Sequence, residues 1–354
     1  MLGRGVRRFA LKRRNMVAQA RLPNRILEYL YDRRGEFVSP EELAAGGLAP
    51  AAFQQALKQL SARGHRFEQS AGRGVRLVRP TALDAHLIER DLPVRQIGRH
   101  VICFGRVAST NDVAFDSAAK ARGQSLTVTA EHQTAGRGRL GRRWHSRPGT
   151  GILASVLLHD AGRTLPQEVL TVAAGLAVAE GIEHATGVGP AVEWPNDVVV
   201  RPPGLAGADR SSPQPCKLAG AMVEIRGGSR RRQVVVGFGI NVTAAPPAGE
   251  LARPAACLAE VVDDASALER IEILRAVLVR LDHWVDAAGT GRTEQLHQSW
   301  LRRCEMINTR QTVESAGRRV TGRVLDVSPL SGLILLTDSG EQVHLPAATS
   351  TIVR

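Results

Sequence analysis

The residues best suited to binding an anion lie in a short run rich in glycine and arginine, Gln133-Thr-Ala-Gly-Arg-Gly-Arg-Leu-Gly-Arg-Arg-Trp144. Glycines let backbone N–H groups approach a ligand closely, and arginines offer planar charged forks that match a phosphate or a carboxylate. By itself the run is equally typical of a solvated basic loop, since blocks of like charge usually lie at the surface. Its function therefore depends on what accompanies it.

The glycines of this run formally match the pattern of dinucleotide-binding and kinase loops. The context excludes both classes. No helical pattern follows Gly141 to present an N-terminus to a pyrophosphate, because the chain continues through Pro148 into a strand-like run. The HRD and DFG segments of a protein kinase do not occur in the sequence.

Four further segments place polar or glycine residues where a regular element starts, turns or is interrupted. They are Ser109-Thr110-Asn111, Glu193-Trp194-Pro195-Asn196-Asp197, Lys217-Leu218-Ala219-Gly220 and Gly237-Phe238-Gly239-Ile240-Asn241. Taken singly, the first is typical of a helix cap, the second of a turn and the third of a strand that begins with a solvated lysine. Two glycines inside a strand weaken it, unless another group must approach the backbone closely.

In this order the five segments resemble the biotin-protein ligases, with an STN segment, a GRGRxGRxW loop, a WPND turn, a KLAG strand and a GxGIN strand over about residues 100 to 245. The resemblance implies a ligase domain similar to class II aminoacyl-tRNA synthetases, with biotin and ATP as substrates and Mg²⁺ as companion ion. It further implies that biotinyl-5'-AMP forms and that a lysine of a biotin carboxyl carrier domain, from acetyl-CoA carboxylase or a similar carboxylase, is biotinylated.

The resemblance also implies roles for individual residues. The expected biotin-binding residues are Ser109, Thr110, Asn111, Gln133, Gly136, Arg137 and Lys217. The expected ATP- and adenylate-binding residues are Gly138, Arg139, Arg142, Trp144, Asn196, Asp197 and Asn241, with Asp197 as the candidate Mg²⁺ ligand. Lys217 and Arg139 are the expected catalytic cations, since attack of a carboxylate on phosphorus needs neutralised charge and no protein nucleophile.

The elements that must position these residues alternate between strand and helix over residues 98–303, which predicts an α/β domain with a mixed or antiparallel sheet. The strand-like runs are Ser125–Glu131, Gly151–Leu158, Val192–Val200, Lys217–Ile225 and Gln233–Val242, and the helical ones are Asp112–Arg122, Leu165–Thr186 and Ala265–Ala288. Short strands between turns over residues 306–354 predict a small SH3-like β-barrel. The expected fold class is α+β.

Residues 23–80 predict a winged helix-turn-helix, with helical patterns followed by an alternating hairpin. Ser39-Pro40-Glu41-Glu42 has the form of a capping box. A helix over Pro50–Arg63 turns Phe53, Ala56, Leu57 and Leu60 inward. The DNA-binding candidates are Gln54, Gln55 and Lys58 on that helix and Arg73 and Arg76 in the wing. Together with the ligase motifs, this arrangement matches the bifunctional family members that repress biotin synthesis, which implies operator DNA and a homodimer as partners.

The charge distribution supports an N-terminal role with an anionic partner. Residues 1–80 hold 16 Lys or Arg against 6 Asp or Glu, so this quarter carries +10 of the net charge of +13. Residues 1–22 are interpreted as a basic arm, although a transit peptide has a similar composition. The four cysteines form no metal or disulfide pattern, which favours a reducing cytoplasm, and no apolar run reaches the roughly 20 residues of a membrane span.

The sequence departs from the biotin-protein ligase pattern at two places, and two other functions are considered. Glu193 stands where the family usually carries a basic residue, and residues 201–215 form a Pro-, Gly- and Ser-rich insertion. A lipoate-protein ligase would share the fold but lacks the GRGRxGRxW loop. A transcription factor that senses biotin without catalysis is the other alternative, and the intact Lys217 and arginine loop count against it.

Overall fold

A computed structural model describes residues 22–45, 49–121, 123–159, 164–202, 215–228, 232–247, 254–328, 332–347 and 349–353. The predicted basic arm, except for its last residue, and nearly all of the insertion lie outside these ranges. The chain divides into two compact units, Met1–Leu87 and Ile88–Arg354. Among the described helices, none combines the length and apolar character that a bilayer-spanning helix requires.

The described part of the N-terminal unit contains three helices followed by an antiparallel hairpin. Helix α1 covers residues 22–32, α2 Pro40–Ala45 and α3 Pro50–Ala62, and strands β1 and β2 cover Phe67–Ser70 and Gly74–Leu77. The predicted capping box is confirmed, because Ser39 Oγ accepts from Glu42 N at 3.2 Å and Glu42 Oε2 accepts from Ser39 N at 3.0 Å. The predicted inward face of α3 is also confirmed, with Phe53, Ala56, Leu57 and Leu60 buried.

A seven-stranded mixed sheet forms the centre of the second unit, which agrees with the predicted mixed or antiparallel sheet, although the strand Val101–Phe104 was not among the five predicted strand-like runs. Its strands are β3 (Val101–Phe104), β4 (Leu126–Ala130), β5 (Gly151–Leu158), β6 (Ala191–Glu193), β7 (Asp197–Val200), β8 (Cys216–Arg226) and β9 (Gln233–Asn241). They are ordered β3-β4-β5-β9-β8-β7-β6, with β3 and β4 parallel and every other neighbouring pair antiparallel.

The short helix α4 (Ala85–Glu89) spans the boundary between the two units, and the described helices of the second unit are α5 (Thr110–Asp116), α6 (Gln167–Thr186), α7 (Arg270–Gly289) and α8 (Thr293–Leu301). Helices α6 and α7 pack closely because Gly181 has no side chain, and a Cβ there would lie 2.6 Å from Val277 Cα. The buried carboxylate of Asp282 on α7 accepts from the backbone N–H groups of residues 95–97 at 2.6 to 3.0 Å. Helix α7 therefore holds the segment that leads into β3.

Three predicted elements differ from the structure. Helix α5 ends at Asp116 instead of Arg122, and hydrogen-bonded turns follow that place Ala118 and Ala121 against the buried cluster around Phe115. The helix predicted from Ala265 begins at Arg270, because Asp264 caps a separate 3₁₀ turn. The single strand predicted over Val192–Val200 is the hairpin β6–β7, since Pro195 removes a ladder donor.

The C-terminal residues form a five-stranded antiparallel sheet in the order β13-β12-β11-β10-β14. Its strands are β10 (Arg310–Ser315), β11 (Arg318–Ser328), β12 (Gly332–Thr337), β13 (Gln342–Leu345) and β14 (Ser350–Val353). Val313, Val324, Val327, Leu333 and Leu335 are fully buried within it. The short strands predicted over residues 306–354 are thus present, and their apolar residues form a small core; the predicted turn at residues 329–331 lies outside the described residues.

Candidate active site

A cavity of about 450 Å³ lies beside β5, β8 and β9 and beneath the glycine- and arginine-rich loop. It brings together most of the residues predicted to act, from segments as far apart as Ser109 and Asn241. The predicted residues that line it are Ser109, Thr110, Asn111, Gln133, Arg137, Gly138, Arg139, Arg142, Trp144, Asn196, Asp197, Lys217 and Asn241. Gly136 does not line the cavity.

One end of the cavity is a network of uncharged polar groups. Gln133 Oε1 accepts hydrogen bonds from the backbone N and the Oγ1 of Thr110, at 2.7 and 3.0 Å. The hydroxyl of Ser155 lies 2.6 Å from Thr110 Oγ1 and 2.5 Å from Asn111 Oδ1. Thr110, Asn111 and Ser155 are buried, so their mutual bonds fix the direction of each side chain.

Two buried serines at this end of the cavity, Ser155 and Ser109, differ from what the sequence predicted. Ser155 was missed, although a lone serine in the apolar run Gly151–Leu158 was the available signal. Ser109 occupies the N-cap position of α5 with extended backbone, yet its side chain makes no capping hydrogen bond. The helix-cap interpretation of the STN segment therefore does not account for this buried hydroxyl.

The two glycines within β9 are explained by close approach of side chains. A Cβ on Gly237 would lie 2.4 Å from Asn111 Oδ1, and one on Gly239 would lie 2.4 Å from Trp144 Cε2. Neither distance is possible for real atoms, so any larger residue would displace those side chains. The two glycines weaken the packing of the strand itself, but they leave room for Asn111 and Trp144 beside the cavity.

The opposite end of the cavity is charged. Lys217 Nζ lies 2.6 Å from Asp197 Oδ1 and 5.7 Å from the centre of the Trp144 ring. Asn196 Nδ2 donates to Ala221 O at 2.7 Å, which holds the turn between β6 and β7 against β8. The WPND and KLAG segments therefore meet across two neighbouring strands, and Gly220 leaves room for the Lys217 side chain.

Arg139 joins the loop to two other parts of the second unit. Its Nη1 donates to Asn196 Oδ1 at 3.2 Å, and its Nη2 donates to the carbonyl oxygen of Ala347, between β13 and β14. Burial lowers the pKa of the Arg139 guanidinium from its usual range, while the Asp197 charge acts in the opposite direction. A desolvated cation of this kind favours an incoming anion.

The loop also carries hydrogen bonds within itself. Trp144 N donates to Gly136 O at 3.0 Å, and Gly138 N donates to Arg142 O at 2.7 Å. A Cβ on Gly136 would lie 2.7 Å from Trp144 O, so this glycine allows the two limbs of the loop to meet. Leu140, at the tip, has φ of 53° and is 56% exposed.

The guanidinium of Arg137, predicted to bind ligand, is engaged by carboxylates. Its Nη1 and Nη2 lie 2.7 and 2.9 Å from the Asp112 oxygens, and its Nε and Nη2 lie 3.2 Å from those of Glu224. The hydrogen bond to Asp112 raises the pKa of Arg137 above its usual range, and the same bond lowers the pKa of Asp112. Its fork is therefore already occupied.

Metal ligands are sparse in this cavity. Within the described residues, no group of three or more His, Cys, Asp and Glu side chains is placed to hold a metal ion. Asp197 supplies the one predicted carboxylate, with the Asn196 amide beside it. That donor set suits Mg²⁺, which retains several waters and takes one or two carboxylates together with substrate phosphates.

The predicted DNA-contacting residues lie on the N-terminal unit. Gln54, Gln55 and Lys58 are exposed on α3. The guanidinium of Arg73 stacks on Phe37 at 4.1 Å from the ring centre, and Arg76 binds Glu68 at 2.5 and 2.9 Å. The hairpin cation of Arg76 is therefore partly compensated, whereas Arg73 is exposed.

Comparison with known proteins agrees with this arrangement. Residues 103–241 match the model of the biotin/lipoate A/B protein ligase family. The biotin--[acetyl-CoA-carboxylase] ligase of Mycobacterium tuberculosis is 31% identical over 281 residues, which cover 73% of this chain and 96% of that protein. The chain belongs to the biotin/lipoate A/B protein ligase family. The resemblance to biotin-protein ligases inferred from the five segments is thereby confirmed.

Other similar proteins match a smaller or larger share of their own length. The bifunctional ligase/repressor BirA of Bacillus subtilis is 30% identical over 224 residues, which cover 62% of this chain and 65% of that protein. The chain thus spans slightly less than two thirds of the length of this relative. The biotin protein ligase of Aquifex aeolicus, solved in complex with biotin and ATP, is 22% identical with a TM-score of 0.56, covering 72% of this chain and 99% of its own. That similarity shows a shared fold.

Proposed function

We propose that the protein is a biotin-protein ligase that forms biotinyl-5'-AMP from biotin and ATP and transfers the biotinyl group to a lysine of a biotin carboxyl carrier domain. The observation that carries this proposal is that one cavity is lined both by a neutral hydrogen-bonding network around Thr110 and by the cations Lys217 and Arg139. The name of the M. tuberculosis relative supports acetyl-CoA carboxylase, or a similar carboxylase, as the source of the carrier.

The neutral end suits the ureido ring of biotin. A cyclic urea presents one carbonyl acceptor and two N–H donors, and the network of Thr110, Gln133 and Asn111 offers both donors and acceptors in fixed directions. Ser109, which lines the cavity, completes this set, and Ser155 orients Thr110 and Asn111 without lining the cavity itself. We assign Gly136 to closing the loop on itself, since it does not line the cavity.

The charged end suits the first chemical step. A carboxylate oxygen of biotin attacks the α-phosphorus of ATP, the bond from phosphorus to the pyrophosphate oxygen breaks, and pyrophosphate leaves. Lys217 and Arg139 neutralise the charge that develops on the phosphorus oxygens and on the leaving group, which is the largest contribution a protein can make to such a step. Arg142, Gly138, Trp144, Asn196 and Asn241 are assigned to the nucleotide.

Mg²⁺, when bound with the nucleotide, supplies further positive charge to its phosphate oxygens. Asp197 and the Asn196 amide are the residues that would hold it. Asp197 also orients Lys217 through their 2.6 Å ion pair. The carboxylate therefore connects the proposed catalytic lysine to the nucleotide side of the site.

The second step needs protection from water. The amine of the carrier lysine attacks the acyl carbon, loses a proton, and displaces AMP from the mixed anhydride. Because water attacks the same carbon, a loop that covers the adenylate prolongs its life until the carrier arrives. Arg139 helps to hold the loop over the adenylate through its contacts with Asn196 and Ala347.

A pyrophosphate exchange assay tests the proposal. Purified protein with ATP, Mg²⁺ and labelled pyrophosphate should form labelled ATP only when biotin is present, and lipoate in its place should give no more than background. Exchange with lipoate alone would identify the protein as a lipoate ligase. Binding of biotin without exchange would favour the biotin-sensing transcription factor.

We further propose that residues 23–80 form a winged helix-turn-helix that binds operator DNA, with residues 98–303 as the ligase domain and 306–354 as an SH3-like barrel. Exposed Gln54, Gln55 and Lys58 on α3, exposed Arg73 in the hairpin and the net charge of +10 over residues 1–80 support DNA binding. The name of the B. subtilis relative supports a repressor role. Two half-sites read by a homodimer follow from that role.

Fluorescence anisotropy tests this second role. A duplex from the promoter of a biotin-synthesis gene and a scrambled duplex are each titrated with and without biotin and ATP. Repression predicts tighter binding to the promoter duplex when both ligands are present. Equal affinities in all four titrations would reduce the N-terminal unit to a basic, non-regulatory module.

A further inference from the structure

Arg137 connects the glycine- and arginine-rich loop to both walls of the cavity. Asp112 lies on α5, directly after the STN segment, and Glu224 lies on β8, the strand that carries Lys217. Arg137 bonds to Asp112 through both terminal nitrogens and to Glu224 through Nε and Nη2. A single loop side chain thus spans the helix of the neutral end and the strand of the charged end.

An arginine held in this way is a poor receptor for a ligand anion. A phosphate or carboxylate would have to displace two carboxylates that already accept charge-assisted hydrogen bonds, each through both of its oxygens. The three side chains are 36%, 37% and 22% exposed, so their pairing is only partly screened by solvent. Arg226 adds a second cation to Asp112 at 2.6 Å, which helps to keep that carboxylate ionised.

We infer that Arg137, Asp112 and Glu224 form an ionic clamp that holds the loop over the cavity, so that Arg137 is a positioning residue and not a ligand-binding cation. The importance of this clamp for an adenylate rests on the proposed ligase function. The clamp sets how often the loop opens, and each opening admits water to the mixed anhydride. It therefore determines how long the intermediate is retained before a carrier arrives.

The sign of the mutational effects separates the clamp from direct ligand binding. Arg137→Gln, Asp112→Asn and Glu224→Gln each remove one charge, and a clamp predicts that all three shorten the half-life of bound biotinyl-5'-AMP by about five- to twentyfold, as expected for partly buried charged hydrogen bonds. If Arg137 instead binds the ligand, the two carboxylate variants release its charge. They would then lengthen the half-life or lower the KM for biotin, while Arg137→Gln alone would shorten it.

Arg226→Gln is the matched control. Arg226 contacts Asp112 and stacks on Phe115 at 4.0 Å, but it lies on β8 and not on the loop. Its loss should leave the half-life within about twofold, because the bonds of Arg137 persist. A loss as large as that of Glu224→Gln would overturn the clamp in favour of a general effect of the local charge.

Amide hydrogen exchange of the ligand-free protein tests the clamp without any measurement of enzymatic activity. Amides of residues 134–143 should exchange about five- to tenfold faster in Asp112→Asn and Glu224→Gln than in wild type or Arg226→Gln. Unchanged exchange in both carboxylate variants overturns the clamp, whatever the ligand. Faster exchange in a protein that makes no adenylate would support the clamp and reject the proposed function. Should one carboxylate variant fail to fold, the other gives the same readout.

Discussion

The two ends of the cavity are built differently. At the neutral end, Thr110 and Ser155 belong to α5 and the central strand β5, and their polar atoms bond to one another within the core. At the charged end, Lys217 and Arg139 come from strand β8 and the glycine- and arginine-rich loop, and the carbonyl of Ala347, between β13 and β14, completes the set. One end is thus part of the folded core, and the other is assembled from separate elements.

The difference follows from the cost of desolvating each kind of group. Hydroxyl and amide groups can be buried when they bond to one another, so a site for an uncharged ring can be formed before the ligand binds. Cations must keep either water or a counter-ion, and here Asp197 is the counter-ion of Lys217, while Asn196 accepts a hydrogen bond from Arg139. We expect mutations at the charged end to affect chemistry and those at the neutral end to affect biotin affinity.

The largest expected effect is that of Lys217→Ala. Removing a cation that stabilises developing charge should slow pyrophosphate exchange by about a hundred- to a thousandfold, or about 2.7 to 4 kcal/mol. The KM for biotin should change much less. Lys120→Ala, which removes an exposed lysine of the same unit, is the control and should remain at wild-type rate. Exchange within about threefold of wild type would show that Lys217 is not a catalytic cation.

A pair of substitutions on one strand compares the two ends directly. Gly237→Ala places a methyl group against Asn111, and Gly239→Ala places one against Trp144. Overpacking typically costs about 1 to 3 kcal/mol, so each variant should raise one KM by about five- to a hundredfold. Gly237→Ala should affect mainly biotin, and Gly239→Ala mainly ATP. If both variants raise the two KM values equally, the cavity does not have separate neutral and charged ends for biotin and ATP.

Thr110→Val probes the neutral network with little change in shape. The variant removes one of the two hydrogen bonds of Gln133 Oε1 and one of the two contacts of the Ser155 hydroxyl, and we expect the KM for biotin to rise about tenfold at nearly constant kcat. Thr127→Val is the matched control, because the buried Thr127 hydroxyl has no hydrogen-bond partner among the described residues. Its kinetics should match wild type. A fall in kcat without a change in KM would place Thr110 in the chemical step.

The smallest expected effect is that of ionic strength. Raising the salt from about 0.1 M to about 1 M shortens the Debye length from about 10 to 3 Å and weakens exposed charge interactions. The KM for ATP should rise by about threefold, and that for biotin by less, because the proposed biotin site consists mostly of uncharged groups. Sucrose at equal osmolality is the control for altered water activity. A larger salt effect on biotin than on ATP would contradict the division.

Much of the fold, and most of the residues that line the cavity, could be predicted. The capping box at Ser39, the inward face of α3 and the strand Gly151–Leu158 were predicted with correct or nearly correct bounds. These features depend on side-chain periodicity and on bonds between residues a few positions apart. The glycines of β9 were predicted to admit a close neighbour, although the sequence could not name Asn111 and Trp144 as those neighbours.

By itself, then, the sequence determined the family, the order of the chemical segments and the type of most elements, because each is encoded by neighbouring residues. Only the tertiary structure decided which groups meet. It joined Arg139 to a carbonyl 208 positions away, placed Ser155 beside Thr110, and engaged Arg137 with Asp112 and Glu224. A guanidinium has the same formal charge wherever it lies, so its role follows from the partners that folding brings within hydrogen-bond distance.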